Sequence, residues 1–275
     1  MLFIRRLAIL LVITSLVSQA RADQALFAVA TNFRPVMDEL VTHFEASSRH
    51  QIKFTTGSTG TLYAQVRSGA PFDALLAADE RRPALLDGQG IAVPGSRFTY
   101  AIGQLALWSP HPRFVLDDGI AVLRAGEFRR LAMANPRVAP YGLAAQEVLA
   151  TLGIAALLKD RIVQGENIGQ THAMIATGGA ELGFTALSYV TSAGSSSGNT
   201  SHNTQTGTHW RVPTDLYSPI RQDAVLMARA KENTAARAFL AYLQSNQARQ
   251  IIRAHGYLTD DEPPINPNGS INLKP

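Results

Sequence analysis

Strand-like and helix-like patterns alternate along this chain in two sets, and that alternation constrains the fold more than any other feature of the sequence. The first set opens with the apolar run 25–30 (ALFAVA). Residues 35–47 follow, with Val36, Leu40, Val41 and Phe44 at helical spacing. Residues 52–56 read as a second strand and 61–70 as a helix stopped by Gly69 and Pro71. Residues 73–78 read as a third strand, and 79–90 as a helix ended by glycines. The second set is strand 130–135, helix 142–153, strand 161–166, helix 169–180 and strand 182–187. Such an order predicts an α/β fold whose sheets are mostly parallel and flanked by helices on both faces.

Two long β-rich stretches stand between and after these sets, 97–110 with Gly103 at its middle and 219–230. Each is expected to be a strand that crosses between two lobes, leaving a ligand cleft between them. One lobe then comprises residues 23–104 and 219–259, and the second residues 105–218. Ligands on sheets of this kind bind beyond the carboxyl ends of the strands, near helix N-termini. Residues 191–209 are rich in Ser, Thr, Gly and Asn and read as a flexible loop, and 260–275 as a polar, proline-rich tail.

The first 22 residues have another character. A basic head ending in Arg5 and Arg6, an unbroken apolar run 7–17 and Ala20-Arg21-Ala22 form the layout of a secretory signal peptide cut after Ala22. Taking Arg5, Arg6 and Arg21 away brings the formal charge of +4 to about +1. A near-neutral chain without Lys/Arg-rich runs argues against nucleic acid as a partner. The sequence contains 0 cysteines, so the exported chain must hold its core by burial alone, without thiol nucleophiles or thiolate metal sites.

Four loops share one chemistry. Thr31-Asn32 end the first strand, Ser58-Thr59-Gly60 open the second helix, and Pro140-Tyr141-Gly142 and Asn167-Ile168-Gly169 each precede a helix. Each puts backbone N–H groups, hydroxyls or an amide at a helix N-terminus, where the dipole favours negative charge. None contains Lys or Arg. Taken one at a time, Ser, Thr and Asn in such places are N-caps and the glycines serve turns. Taken together they suit a small, desolvated oxyanion held by neutral donors. Tyr141, set in a loop between Pro140 and Gly142, is poorly placed for a core, and either donates its hydroxyl to a ligand or lines the cleft with its ring.

Other chemistries fit less well. The Ser58-Thr59-Gly60 loop lacks the G-x-x-x-x-G-K-[ST] spacing of an ATPase P-loop. Gly194-Ser195-Ser196-Ser197-Gly198 matches G-x-S-x-G, which makes Ser196, with His202 or His209 as base, the nucleophile of an alternative reading as a secreted serine hydrolase. No helical pattern follows it, as a nucleophile elbow requires. His202 and His209 lack a third metal ligand at useful spacing. His172 and His255 sit in helical stretches as packing or surface residues. Asp79 reads as an N-cap with Glu80 as its dipole partner, and Asp117-Asp118-Gly119 as a turn. No catalytic residue and no metal-ligand set is assigned.

With these loops in view the chain resembles the periplasmic molybdate-binding proteins of ABC uptake systems (the ModA family). The resemblance runs from about Gln24 to Leu258 and is carried by VATNF (29–33), TGSTGTLYAQVRSGAPFDALLAADE (56–80), LDGQGIAVPGSRFTYAIGQLALWS (86–109), NPRVAPYGLAAQEVL (135–149) and GENIGQTHAMIATGGAELGF (165–184). It implies a two-lobed, type II-like binding protein that takes molybdate or tungstate between its lobes, performs no reaction, needs no cofactor and delivers its ligand, as a monomer, to a membrane permease. By position the ligand hydroxyls fall on Thr31 and Thr59. Asn32, Tyr141 and Ile168 are further contacts, and Ser58 and Asn167 stand behind them. A tyrosine that many members carry after the LGF-like strand falls on Ala186 here. Sulfate, or another tetrahedral oxyanion, is the alternative ligand, and a sensor without a transporter the alternative role. Neutral donors favour dianions that carry no proton of their own, so hydrogen phosphate is expected to bind poorly.

Overall fold

The structure, a computed structural model, describes residues 23–111, 113, 114, 117–191 and 207–260. The signal segment, Ser196, His202 and all of the tail beyond Asp260 lie outside the described residues.

Among the described residues ten strands form two five-stranded sheets. The first contains β1 (Gln24–Ala30), β2 (Gln51–Gly57), β3 (Ala74–Leu76), β4 (Phe98–Gly103) and β10 (Ile220–Leu226), in the order β2-β1-β3-β10-β4. The second contains β5 (Leu105–Ser109), β6 (Leu131–Ala134), β7 (Ile162–Gly165), β8 (Leu182–Ala186) and β9 (Thr208–Arg211), in the order β7-β6-β8-β5-β9. The two orders are the same pattern used twice. In each, three parallel strands are followed by one antiparallel strand, β10 or β5. That reversed strand has in each case come across from the other sheet, so it enters from the opposite end.

The helices are α1 (Arg34–Ser47), α2 (Thr59–Arg67), α3 (Arg81–Gly88), α4 (Gly119–Ala125), α5 (Pro140–Thr151), α6 (Ala155–Leu158), α7 (Ile168–Ala176), α8 (Leu187–Thr191), α9 (Thr234–Leu243) and α10 (Asn246–Ala254). They cover both faces of the sheets, which explains the unbroken apolar runs of the inner strands: every residue of β3, β5 and β8 is buried. On one face of the first sheet Phe27, Val29, Met37, Leu40, Phe239 and Ile252 make a core. Leu62, Val66, Leu75, Leu86 and Val225 make another on the opposite face. The main core of the second sheet, around Leu107, Leu131, Leu149 and Phe184, extends to Ala30, Ala78 and Ile220 of the first. The two halves are thus continuous where the strands cross.

Several expectations change in detail. The stretch 97–110 is two strands, since Gln104 stands between β4 and β5, and its side-chain amide donates to Gly256 O at 2.8 Å. The return passage is not made by a strand. All of β10 belongs to the first sheet, and the chain crosses back earlier, through the 3-10 turn Thr214–Leu216. Residues 208 and 209, read as loop, begin the edge strand β9, in which His209 stands opposite Trp108. Asp118 does not simply turn the chain: its Oδ1 accepts from Ala121 N at 3.0 Å and caps α4. Glu80 rather than Asp79 stands at the N-cap of α3, without a capping side-chain bond, and Asp79, one residue earlier, accepts from Arg82 N at 2.9 Å. Among the described residues no single helix is long and apolar enough to cross a membrane.

Candidate functional site

All four loops singled out in the sequence meet at one small cavity between the two sheets. Thr31 and Asn32 stand just past β1, Ser58 and Thr59 just past β2, Tyr141 in the first turn of α5, and Asn167 and Ile168 at the start of α7. Ala30, Gly57, Ala78, Ala139 and Pro140 complete the lining. The site therefore lies beyond the carboxyl ends of parallel strands from both sheets. Among the described residues no Asp, Glu, Lys, Arg or His side chain lines it.

The side chains divide into caps and free donors. Ser58 Oγ accepts from Thr61 N at 3.2 Å, and Asn167 Oδ1 accepts from Gln170 N at 2.9 Å, so both are occupied in capping α2 and α7. The two threonines are not caps. Thr59 Oγ1 accepts from Ala78 N at 2.9 Å, which settles its acceptor side and leaves its proton directed elsewhere. Thr31 Oγ1 is buried and has no hydrogen-bond partner among the described residues. The other two such atoms, His50 Nδ1 and Tyr242 OH, do not line the cavity.

Asn32 contributes differently from what its type suggests. Its Nδ2 donates to Gln222 Oε1 at 2.9 Å and to Tyr257 OH at 3.0 Å, which uses both protons inside the protein. Only its backbone remains for the cavity. Tyr141 is not in a loop and does belong to a core: it lies in α5, is 2% exposed and packs in the main core of the second sheet. The Pro140 ring opens the helix at a position where no N–H is needed, so the next residue is already helical and turned inward. The Tyr141 hydroxyl accepts from Gln222 Nε2 at 3.2 Å. Burial, and then the proximity of Tyr257 and Tyr217, pushes the phenol well above the ordinary tyrosine range. It remains a neutral O–H group.

Backbone amides at helix starts also belong to the cavity wall. Thr59, Tyr141 and Ile168 occupy first-turn positions, where an α-helix offers no internal acceptor. The dipoles of three helices with eight or more residues add positive potential there.

Gln222 and Tyr189 were not anticipated. Gln222, fully buried on β10, accepts from Asn32 Nδ2 and from Tyr100 OH (3.0 Å) while donating to Tyr141, and so ties the loop after β1 to α5. Tyr189 on α8 donates to Thr31 O at 2.7 Å, and its neighbour Ser188 donates to Asn32 O at 3.0 Å. Ala186 is the buried last residue of β8, and Tyr189, three positions later, brings a phenol to the loop that carries Thr31. His172 is a packing residue, stacked between Trp108 and Tyr189 at centroid distances of 4.6 and 4.8 Å. His255 is buried and meets Glu39 Oε2 at 2.7 Å. For His209, burial and then Arg211 push the imidazole below its ordinary value.

Residues 25–258 match the family described as "Bacterial extracellular solute-binding protein". The molybdate-binding protein ModA of Azotobacter vinelandii is 45% identical over 252 residues, covering 92% of this chain and 96% of that protein. The ModA protein of Rhodobacter capsulatus is 40% identical over 251 residues, covering 91% and 94%. The solved periplasmic molybdate-binding protein of Azotobacter vinelandii superposes with a TM-score of 0.79 at 39% identity, over 86% of this chain and 99% of that one.

Proposed function

Because this chain belongs to the ModA family of molybdate-binding proteins, within the bacterial extracellular solute-binding proteins, we propose that its cavity captures molybdate or tungstate through neutral donors and releases it to an ABC permease. It is a binding protein rather than an enzyme. The observation that carries the reading is the Thr31 hydroxyl, buried without a partner at the wall of a cavity that holds no charged side chain. Leaving such a group unpaired costs about 1–3 kcal/mol, which a bound acceptor offsets.

The donor set selects the ligand class. Thr31 and Thr59 each direct a hydroxyl proton to the ligand, and Asn32, Tyr141 and Ile168 present backbone N–H groups. Ser58 and Asn167 hold two of the helix ends in place. Hydrogen bonds to a charged partner contribute about 1.5–3 kcal/mol each, so five of them offset the desolvation of a dianion. Because the wall donates and has little to accept with, a ligand bearing its own proton is disfavoured. Molybdate, tungstate and sulfate meet that requirement, and the kinship with molybdate-binding proteins favours the first two.

In this reading residues 23–104 with 219–259, and residues 105–218, act as two lobes that close on the anion. Residues 1–22 export the chain to the periplasm and are removed after Ala22, and the mature protein works as a monomer.

Thermal unfolding of residues 23–275 with molybdate, tungstate, sulfate and phosphate tests this. A specific ligand at about 100 times its dissociation constant adds about 2.7 kcal/mol of stability. Molybdate and tungstate are expected to raise the midpoint and phosphate to leave it unchanged. A shift by sulfate alone makes this a receptor for a different anion, and no shift by any of the four removes the reading.

A further inference from the structure

The two sheets touch around the cavity on both sides. On one side Tyr189 and Ser188 hold the carbonyls of Thr31 and Asn32. On the other, the Gly60 N–H donates across the gap to Val138 O at 2.9 Å. Gly60 is the second residue of α2, so this amide belongs to the first turn that the sequence offers to an anion. It is instead taken by a carbonyl from the facing half of the chain. Beside it Arg82 Nη2 donates to Arg137 O at 3.2 Å. Asp79 aims that guanidinium: one carboxylate oxygen takes the Arg82 backbone N–H at 2.9 Å, and the other pairs with Arg82 Nη1.

The approach requires glycine. A Cβ at Gly60 would stand 2.9 Å from Val138 Cα, 3.0 Å from Val138 Cβ and 3.1 Å from Arg82 Nη2. Two of these three neighbours belong to a stretch leading into α5, and the nearest is backbone, which cannot turn aside. Nothing about α2 itself asks for glycine at this position, since alanine is the better helix former. The glycine is explained by closure alone.

We propose that Gly60 and Arg82 of the first half, with the carbonyls of Val138 and Arg137 of the second, form a latch that holds the cavity shut and sets how fast the bound anion leaves. The inference rests on the oxyanion reading of the cavity. A ligand so enclosed escapes only when the halves part, and parting breaks both latch bonds. Association begins from the parted form, in which neither bond exists. Weakening the latch therefore speeds release and leaves capture unchanged.

The test is stopped-flow kinetics of molybdate binding and release on the mature chain, comparing wild type with Gly60→Ala and Arg82→Gln. For Gly60→Ala the dissociation rate is expected to rise at least about tenfold while the association rate stays within about twofold, since affinity differences between variants of one interface sit mostly in release. Its unfolding midpoint without ligand should be unchanged or raised, because alanine improves the helix. Arg82→Gln should speed release by a few-fold, the carbonyl contact being exposed. A wild-type release rate in Gly60→Ala overturns the latch, as does a loss of affinity confined to association. If wild type itself binds neither molybdate nor tungstate, the oxyanion reading falls and the latch falls with it. If wild type binds and Gly60→Ala releases at the same rate, only the latch is lost.

Discussion

The two walls of the cavity are built on the same strand pattern and, in the reading proposed above, recognise the anion in different ways. The wall from the first sheet offers side chains: of the Thr31 and Thr59 hydroxyls, one has no partner among the described residues and the other accepts from Ala78 N. The wall from the second sheet works through the backbone, at the first turns of α5 and α7, while the polar side chains there are occupied, Asn167 in capping and Tyr141 with Gln222. A side-chain donor can be deleted by one substitution, but a backbone donor survives nearly all of them. The first wall should therefore be sensitive to mutation in its affinity, and the second in its stability.

Thr59→Val gives the largest expected effect, because it touches both quantities. Losing a hydrogen bond to a charged ligand lowers affinity roughly 10- to 100-fold, at about 1.5–3 kcal/mol. The Ala78 N–H is then also left without its acceptor, at a further cost of about 1–3 kcal/mol to the ligand-free protein. Thr31→Val separates the two. It should lose a similar amount of affinity in calorimetric titration, yet leave the ligand-free unfolding midpoint unchanged or higher, since it removes a buried hydroxyl that bonds to nothing. Equal destabilisation by both variants would mean that the Thr31 hydroxyl is satisfied in solution and the contrast between them is wrong.

On the second wall, Asn167→Ala should cost about 1 kcal/mol of stability through loss of the α7 cap. Because the Ile168 N–H stays, affinity should change by less than about threefold. A much larger loss of affinity would assign the Asn167 side chain a direct contact and dissolve the distinction between the walls.

The smallest effect at ordinary pH comes from the phenols that join the walls. Burial is the main reason that Tyr257 is pushed up to about 12, and it likewise raises Tyr141 and Tyr100 well above the usual value. A phenol with a raised folded-state pKa adds stability that is complete below the unfolded value near pH 10 and is lost as pH rises toward the folded value. Unfolding midpoints should accordingly be insensitive to these groups up to about pH 9 and fall between about pH 10 and 12. A fall beginning near pH 8 would contradict the burial of this cluster.

The sequence allowed the first wall to be read well and the second only in part, for physical reasons. Threonines at the ends of apolar strands have a local signature, because the strand, the loop and the following helix all lie within ten or so residues. The placement of Thr31 and Thr59 at the cavity was legible for that reason. Tyr141 was misplaced because Pro and Gly on either side suggest a loop, whereas Pro140 here opens α5 and the ring enters a core built by residues far along the chain. Gln222 has no local signal at all: its partners Tyr141 and Asn32 are 81 and 190 positions away. Tyr189 was passed over because the short helix α8 that carries it, five residues long, has too few turns to show a period. The strand β9 was hidden by the polar stretch that runs into it, and as an edge strand its residues alternate between partly buried and exposed. The first passage between the halves was placed correctly near Gly103, but the second was assigned to β10 itself, and the reversed direction of β5 and β10 within each sheet follows from the exchange between halves, which local pattern does not encode.

The most direct measurement of the central claim is anomalous diffraction at the tungsten edge from crystals of residues 23–275 grown with tungstate. A single peak is predicted inside the cavity, with oxygens about 2.7–3.1 Å from Thr31 Oγ1, Thr59 Oγ1 and the amides of Tyr141 and Ile168. A peak outside the cavity, or one held by arginine side chains with Thr31 Oγ1 still unpaired, would contradict recognition of the anion by neutral donors.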